Sequence, residues 1–168
     1  MKNTTHKIVI AAMFASLACV ATMVIKIPSP LNGYINLGDC IVLLAGWMLS
    51  PLYGFLAAGM GSALADVLSG YVLYAPATFI IKGAMALAVC FLHRVFLKKA
   101  GSFLSAAISG ALAECIMVFG YFLFEGLIYG FAPSVLNMPA NIVQGIAGLV
   151  LGTVLIKIFE KAKINFFQ

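Results

Sequence analysis

Long apolar runs follow one another along this chain, and most are close to the roughly 20 residues that cross a lipid bilayer as a helix. Apolar residues make up 64% of the 168 residues and charged residues only 9%, against about 25% in soluble domains. The ten basic and five acidic side chains are too few to cover the surface of a water-soluble domain of this length. The sequence therefore excludes a soluble globular domain and predicts a membrane protein.

Proline, glycine and polar segments divide the apolar runs into six predicted helices. Two prolines and a glycine interrupt the chain near residues 28–36, where we expect an irregular loop. Ser50 and Pro51 predict a tight turn, and Pro76 opens a later helix. The predicted fold class is an all-α integral membrane protein, a single domain over residues 1–168 with one bundle of six transmembrane helices. The predicted helices cover residues 7–27, 37–49, 52–69, 76–97, 102–127 and 135–159.

The basic residues are concentrated at one end of this predicted bundle. With six helices, eight of the ten basic side chains lie on the side of the two termini: Lys2, Lys7, Arg94, Lys98, Lys99, Lys157, Lys161 and Lys163. Basic residues are enriched on the cytoplasmic side of membrane proteins, so both termini are predicted to be cytoplasmic. This distribution explains the net charge of +5 without a nucleic-acid partner.

Polar residues within the predicted helices lie mainly toward the opposite, outer side. Their spacing places Glu114, Tyr121 and Glu125 on one face of helix 5, and Asn137, Asn141 and Gln144 on one face of helix 6. Ionisable side chains in a bilayer usually face a cavity or the bundle interior, because burying a charge in lipid is costly. The pattern predicts an outward-open polar pocket lined by Tyr34, Asn36, Asp39, Asp66, Tyr74, Thr78, Lys82, Glu114, Tyr121, Asn141 and Gln144.

Structural roles also fit several of these residues when each is taken singly. Lys82 can pair with Asp66 on the adjacent helix, and Asp39 can cap the N-terminus of helix 2. Asn141 and Gln144 can form hydrogen bonds between helices. These alternatives stay open, although none of them predicts the concentration of polar residues in one layer.

No sequence pattern indicates catalysis or a bound metal. The chain lacks a phosphate-binding glycine loop and an HExxH motif, and its four cysteines are scattered singly through apolar segments. We therefore expect no enzymatic activity, no catalytic residue, no metal and no cofactor.

Four strings resemble the substrate-binding S components of energy-coupling factor (ECF) vitamin transporters. They are GYINLGD at residues 33–39, PLYG at 51–54, GSALAD at 61–66 and YAPATFIIKG at 74–83. The resemblance covers essentially the whole chain and is greatest for the branch associated with pyridoxine or hydroxymethylpyrimidine. It implies a multi-pass protein of a bacterial plasma membrane that captures a vitamin-sized ligand outside, under a lid formed by residues 28–36.

The same resemblance implies partners. In the family, a small-residue face on helix 1 docks a transmembrane coupling protein, and Ala11 and Ala15 match this AxxxA pattern. Two cytoplasmic ATPases supply the energy, so ATP hydrolysis is expected in partner subunits.

The sequence leaves more than one ligand and more than one transport mechanism open. Pyridoxine (vitamin B6) and hydroxymethylpyrimidine fit the predicted pocket, a queuine precursor fits it equally well, and riboflavin or thiamine is a further alternative. An autonomous proton-coupled carrier, with Asp66 or Glu114 as its proton site, is a rival in another class. The absence of an internal repeat disfavours it. A purely structural subunit would not need so many outer polar residues.

Overall fold

In a computed structural model, the described residues, 4–29 and 33–163, form six helices and one short hairpin. The helices α1, α2 and α3 cover Thr4–Val24, Gly38–Met48 and Pro51–Leu68. A long helical stretch, Ala75–Tyr129, is broken at Gly101 (φ 74°, ψ 169°) and divides into α4, Ala75–Leu97, and α5, Gly101–Tyr129. The last helix, α6, is Phe131–Lys161.

Part of the predicted basic cluster falls outside the described residues. This applies to Lys2 and to the side chains of Lys98 and Lys99. The same is true of residues 30–32 in the predicted loop.

Five of the helices are long and apolar enough to cross a membrane: α1, α3, α4, α5 and α6. The helical membrane fold expected from the sequence is thus found. The helix α2 differs, because its 11 residues span only about 16 Å, whereas the hydrocarbon core of a bilayer is about 30 Å thick. All of its residues except Ile41 are buried. It is therefore a central helix surrounded by its neighbours, and a sixth crossing at this position stays a prediction.

The core lies around α2. Leu43 and Trp47 are buried, and the Trp47 indole Nε1 donates a hydrogen bond of 3.0 Å to Ser109 Oγ on α5. Large apolar side chains point outward from the long helices, among them Leu127 and Leu136. Such a surface suits contact with lipid, since exposed apolar area of this extent is unusual on a water-soluble protein.

The connection between α1 and α2 is more regular than predicted. Strands β1, Lys26–Pro28, and β2, Tyr34–Asn36, form an antiparallel ribbon in which Ile27 pairs with Ile35. Pro28 was expected to prevent regular structure, but it ends an edge strand, a position where a missing N–H is tolerated. The ribbon places Tyr34 and Asn36 over the end of the bundle.

Candidate ligand-binding site

A polar cavity lies where the hairpin meets the bundle, near the connections that follow α1, α3 and α5. Its free volume is about 30 Å³, enough for one or two waters. A vitamin-sized molecule would therefore require the lining side chains or the hairpin to move. The lining residues are Ser29, Gly33, Tyr34, Asn36, Asp66, Tyr74, Thr78, Tyr121, Glu125, Asn137, Asn141 and Gln144.

One carboxylate of this cavity comes from α3. The Tyr34 hydroxyl donates a 2.6 Å hydrogen bond to Asp66 Oδ1, while Oδ2 has no partner with hydrogen-bond geometry among the described residues. The Thr78 hydroxyl lies near the same carboxylate and is 3.0 Å from the Tyr121 hydroxyl. Burial, together with the hydrogen bond to Asp66, raises the pKa of Tyr34, so this hydroxyl keeps its proton and remains a donor.

The second carboxylate lies at the outer end of α5. Asn137 Nδ2 donates a 2.6 Å hydrogen bond to Glu125 Oε1, and the Tyr74 hydroxyl lies 3.4 Å from the same oxygen. Within the part of the chain that is described, Glu125 Oε2 and Asn137 Oδ1 have no hydrogen-bond partner. Glu125 is only 1% exposed, so this unused capacity faces the protein interior.

Aromatic rings form part of the cavity wall. Tyr74 lies with its ring centroid 6.5 Å from that of Tyr121 and 5.2 Å from that of Phe124. Tyr34 is tilted against Tyr71 at a centroid distance of 4.6 Å. The cavity thus combines carboxylates with flat apolar surfaces, a combination suited to a small aromatic ligand with polar substituents.

Four buried residues, Asn36, Asp39, Lys82 and Gln144, form what we call the ion-pair cluster, and two of them, Asn36 and Gln144, also line the cavity. Lys82 donates to Asp39 Oδ1 in a salt bridge, and Gln144 Nε2 donates to Asp39 Oδ2 at 2.7 Å. Gln144 Oε1 accepts from the backbone N–H of Asn36 at 2.9 Å and from its side-chain amide at 3.3 Å. The cluster connects α2, α4 and α6 to the hairpin.

Two structural interpretations of these residues are corrected by this geometry. Lys82 pairs with Asp39 rather than with Asp66, because the first turn of α2 points the Asp39 carboxylate toward α4. Asp39 does not cap α2, since the N-cap position is Leu37. The alternative role for Gln144, hydrogen bonding between elements, is what the structure has, and both ends of its amide are occupied.

Glu114 lies beside the ion-pair cluster rather than in the cavity. Its carboxylate rests against Gly145 and Gly148 of α6, where a Cβ on Gly148 would lie 3.0 Å from Glu114 Oε1 and 2.6 Å from Asp39 Cβ. Neither Glu114 oxygen has a hydrogen-bond partner among the described residues. The glycines let α6 approach both carboxyl side chains closely.

The cavity brings together most of the predicted binding residues. Eight line it: Tyr34, Asn36, Asp66, Tyr74, Thr78, Tyr121, Asn141 and Gln144. The other three, Asp39, Lys82 and Glu114, do not line it. Their role in binding, like that of the eight, stays a prediction.

Four lining residues were absent from the predicted set. Glu125 follows Tyr121 by one helical turn, and Asn137 precedes Asn141 by one turn, so their periodicity already placed them with the others. Ser29 and Gly33 lie at the tip of the hairpin, and no helical periodicity could have indicated them.

The predicted docking residues on α1 face inward. Ala11 is 9% exposed, and Ala15 is half-buried with its backbone carbonyl so close to Gly61 of α3 that a Cβ on Gly61 would collide with it. Ala11 is thus buried, whereas Ala15 packs its backbone against α3 and also lines an apolar groove with Ser16, so docking at Ala11 and Ala15 stays a prediction. The neighbouring row, Ala12 and Ser16, is exposed.

Comparisons with known proteins agree on one family. The family described as ECF-type riboflavin transporter, S component, matches residues 2–161. A Pyrococcus woesei protein, described as an uncharacterized protein in a gap 3′ region, is 35% identical over 134 residues, covering 79% of this chain and 87% of that protein. The thiamine precursor transporter HmpT of Lactococcus lactis subsp. cremoris is 27% identical over 160 residues, covering 94% of this chain and 90% of its own.

A solved structure shows the same fold. The S component of a bacterial ECF transporter superposes with a TM-score of 0.71 at 18% identity, and the match covers 97% of this chain and 100% of that one. Together with the match over residues 2–161, this shows that the chain belongs to the family of ECF transporter S components, multi-pass proteins of the plasma membrane.

Proposed function

We propose that this S component captures pyridoxine or hydroxymethylpyrimidine on the extracellular side and delivers it to the cytoplasm as part of an ABC-type importer. S components bind a vitamin-like molecule and associate with a transmembrane coupling protein and ATPases. In this proposal those ATPases hydrolyse ATP, and the chain itself contributes binding only. Its six helices lie in the membrane with both termini cytoplasmic, as the distribution of basic residues favours.

The observation that carries the proposal is the polar cavity under the hairpin. It lies at the end of the bundle opposite the basic termini and presents unused hydrogen-bond capacity beside aromatic rings. Any ligand requires this cavity to expand, and a single-ring ligand requires the smallest rearrangement. Riboflavin, which the family description names, has a three-ring system and would require a larger rearrangement.

The thiamine precursor transporter among the relatives supports the choice of a pyrimidine or pyridine ring. Hydroxymethylpyrimidine and pyridoxine are both small aromatic heterocycles with hydroxymethyl groups. Their hydroxyl donors match the free oxygens of Asp66 and Glu125, and their rings match Tyr74 and Tyr121.

For the coupling protein, the exposed row Ala12 and Ser16 on α1 is the docking face that we favour. It lies one residue along from the predicted Ala11 and Ala15, which pack against α3. Ser16 lines an apolar groove of about 400 Å³ together with Ala15, Met60 and Leu64. Small residues at such a position let a partner helix approach closely.

The test is to purify the protein in detergent, identify copurifying small molecules by mass spectrometry, and measure uptake after reconstitution with a coupling protein and ATPases. The proposal predicts ATP-dependent uptake of the copurified molecule. Uptake that proceeds without ATP and follows a proton gradient would instead indicate an autonomous carrier.

Tryptophan substitutions on α1 test the docking face within the same assay. Ser16→Trp should abolish ATP-dependent uptake while the isolated protein still binds its ligand. Leu127→Trp on α5, at a side chain that is 81% exposed, is the matched control and should leave both unchanged. Normal uptake by Ser16→Trp would refute docking at this row.

A further inference from the structure

The cavity offers more free hydrogen-bond acceptors than donors. Asp66 Oδ2, Glu125 Oε2 and Asn137 Oδ1 are buried and have no hydrogen-bond partner within the described residues. The free donor opposite them is Asn141 Nδ2, while Ser29 Oγ can serve in either direction. Buried polar atoms are nearly always hydrogen-bonded, so we expect a bound ligand to supply donors to these acceptors and an acceptor to Asn141.

The charged residues of the cavity lining also favour a ligand that donates hydrogen bonds. Two carboxyl groups line it, and no Lys or Arg does so in the part of the chain that the structure describes. Lys82 forms a salt bridge with Asp39. Its ammonium lies behind the cavity wall, 5.4 Å from the Tyr121 ring centroid and within electrostatic range of Asp66. Lys26 on the hairpin is exposed and bonds to Ser69 Oγ at 2.9 Å. Because no cation among the described residues lines the cavity, an anionic ligand would lie against two carboxyl groups without a directly bonded counter-charge.

We propose that the cavity selects a flat nitrogen heterocycle that carries N–H or O–H donors on two different edges and no phosphate or carboxylate group. One donor edge bonds to Asp66, the other bonds to Glu125, and Asn141 donates to an acceptor atom of the ring. The inference rests on the proposed function and narrows its ligand class.

The carboxyl groups of the cavity should exclude anionic molecules. Repulsion by uncompensated charges is an effective way to reject a related molecule that shares the same ring. A phosphate ester of an accepted heterocycle has the same ring, but a phosphate dianion replaces the hydroxyl that would donate a hydrogen bond on one edge. The cavity should therefore distinguish a free vitamin precursor from its phosphorylated, intracellular form.

Calorimetry on the purified full-length protein tests this with two matched pairs of probes. These are hydroxymethylpyrimidine with its monophosphate, and pyridoxine with pyridoxine 5′-phosphate. At least one free heterocycle should bind about 100-fold or more tightly than its ester, because the ester loses one charged hydrogen bond and gains repulsion.

Isosteric variants assign the selectivity to the two carboxyl groups. Asp66→Asn and Glu125→Gln should each weaken binding of the free heterocycle by about 10- to 100-fold, the loss expected for one charged hydrogen bond. They should weaken binding of the ester less. Glu160→Gln, at an exposed carboxylate near the other end of α6, is the control and should change neither affinity.

Equal or tighter binding of an ester, or unchanged affinity in both variants, would overturn the inference. If none of the four probes binds, the copurified molecule decides. An anion refutes the ligand class, and an uncharged or cationic heterocycle with two donor edges supports it. Selective binding without ATP-dependent uptake would count against the proposed function alone.

Discussion

The outer cavity and the ion-pair cluster use the same kinds of side chain in opposite ways. In the cluster, both carboxylate oxygens of Asp39 and both ends of the Gln144 amide are occupied by protein partners. In the cavity, Asp66 and Glu125 each keep one oxygen unpaired among the described residues. A polar residue in a transmembrane helix can therefore hold helices together or bind a ligand, and its unused hydrogen-bond capacity indicates which role it has.

The ion-pair cluster should therefore contribute mainly to stability, and the cavity mainly to ligand binding. A buried ion pair holds helices together. Removal of one partner leaves the other charge buried without compensation, which strongly lowers the free energy of unfolding. A carboxyl group that keeps one oxygen free beside a small cavity contributes less to the fold, because an isosteric amide can keep its remaining protein contact. Mutations in the two regions should therefore have different effects.

The largest expected effect is on the cluster. Lys82→Met should lower the free energy of unfolding by about 3–5 kcal/mol, because Asp39 is left buried without its cation. The measurement is the unfolding midpoint of the purified protein in detergent. The double variant Lys82→Met/Asp39→Asn should recover much of the loss. Similar losses in the single and double variants would mean that the ion pair does not organise this region.

A second effect concerns the close contact of α6 with the cluster. Gly148→Ala should cost about 1–3 kcal/mol, because the new Cβ would lie 2.6 Å from Asp39 Cβ. Gly152→Ala, one turn further along, is the matched control, since its Cβ would meet only the side chains of Leu43 and Trp47 at 3.3 Å or more. Unfolding midpoints in the same detergent compare the two. Equal losses would show that the cluster does not limit the approach of α6.

The sequence could predict the helical membrane class and much of the polar layer. Charge scarcity indicates lipid as the solvent, and helical periodicity places Tyr121 with Glu125 and Asn141 with Asn137. Periodicity gives a depth and a face within one helix. It does not give the rotation of that helix relative to its neighbours.

Two assignments depend on this rotation: the ion-pair partner of Lys82, which the structure corrects, and the docking row on α1, which stays a prediction. Lys82 has three acidic residues on neighbouring helices, and the sequence cannot tell that the start of α2 at Gly38 directs Asp39 toward it. On α1, the rows starting at Ala11 and Ala12 differ by about 100° around the axis, and both contain small residues. Which row faces α3 depends on Gly61, a contact distant in sequence.

In the cavity itself, neutralising a carboxyl group should have a smaller effect on the fold. Asp66→Asn and Glu125→Gln should each change the free energy of unfolding by less than about 1.5 kcal/mol, because the amide oxygen can still accept from Tyr34 or Asn137. Unfolding midpoints without added ligand provide the measurement. A loss as large as that of Lys82→Met would place these residues with the cluster.

The smallest effect should come from a hydroxyl on the cavity wall. Thr78→Val removes the 3.0 Å contact with the Tyr121 hydroxyl and the contact with the Asp66 carboxyl group, and should cost about 1 kcal/mol, a usual value for a hydrogen bond. The cavity has room for a water that can take over this bond, whereas the cluster is filled by its own side chains. Thr153→Val, whose hydroxyl bonds to the backbone of its own helix, is the control for loss of a buried threonine hydroxyl. An excess loss above about 2 kcal/mol for Thr78→Val, beyond the usual range for a neutral hydrogen bond, would show that its hydroxyl belongs to a paired network like that of Gln144. The boundary between binding and structural residues would then lie nearer to the hairpin.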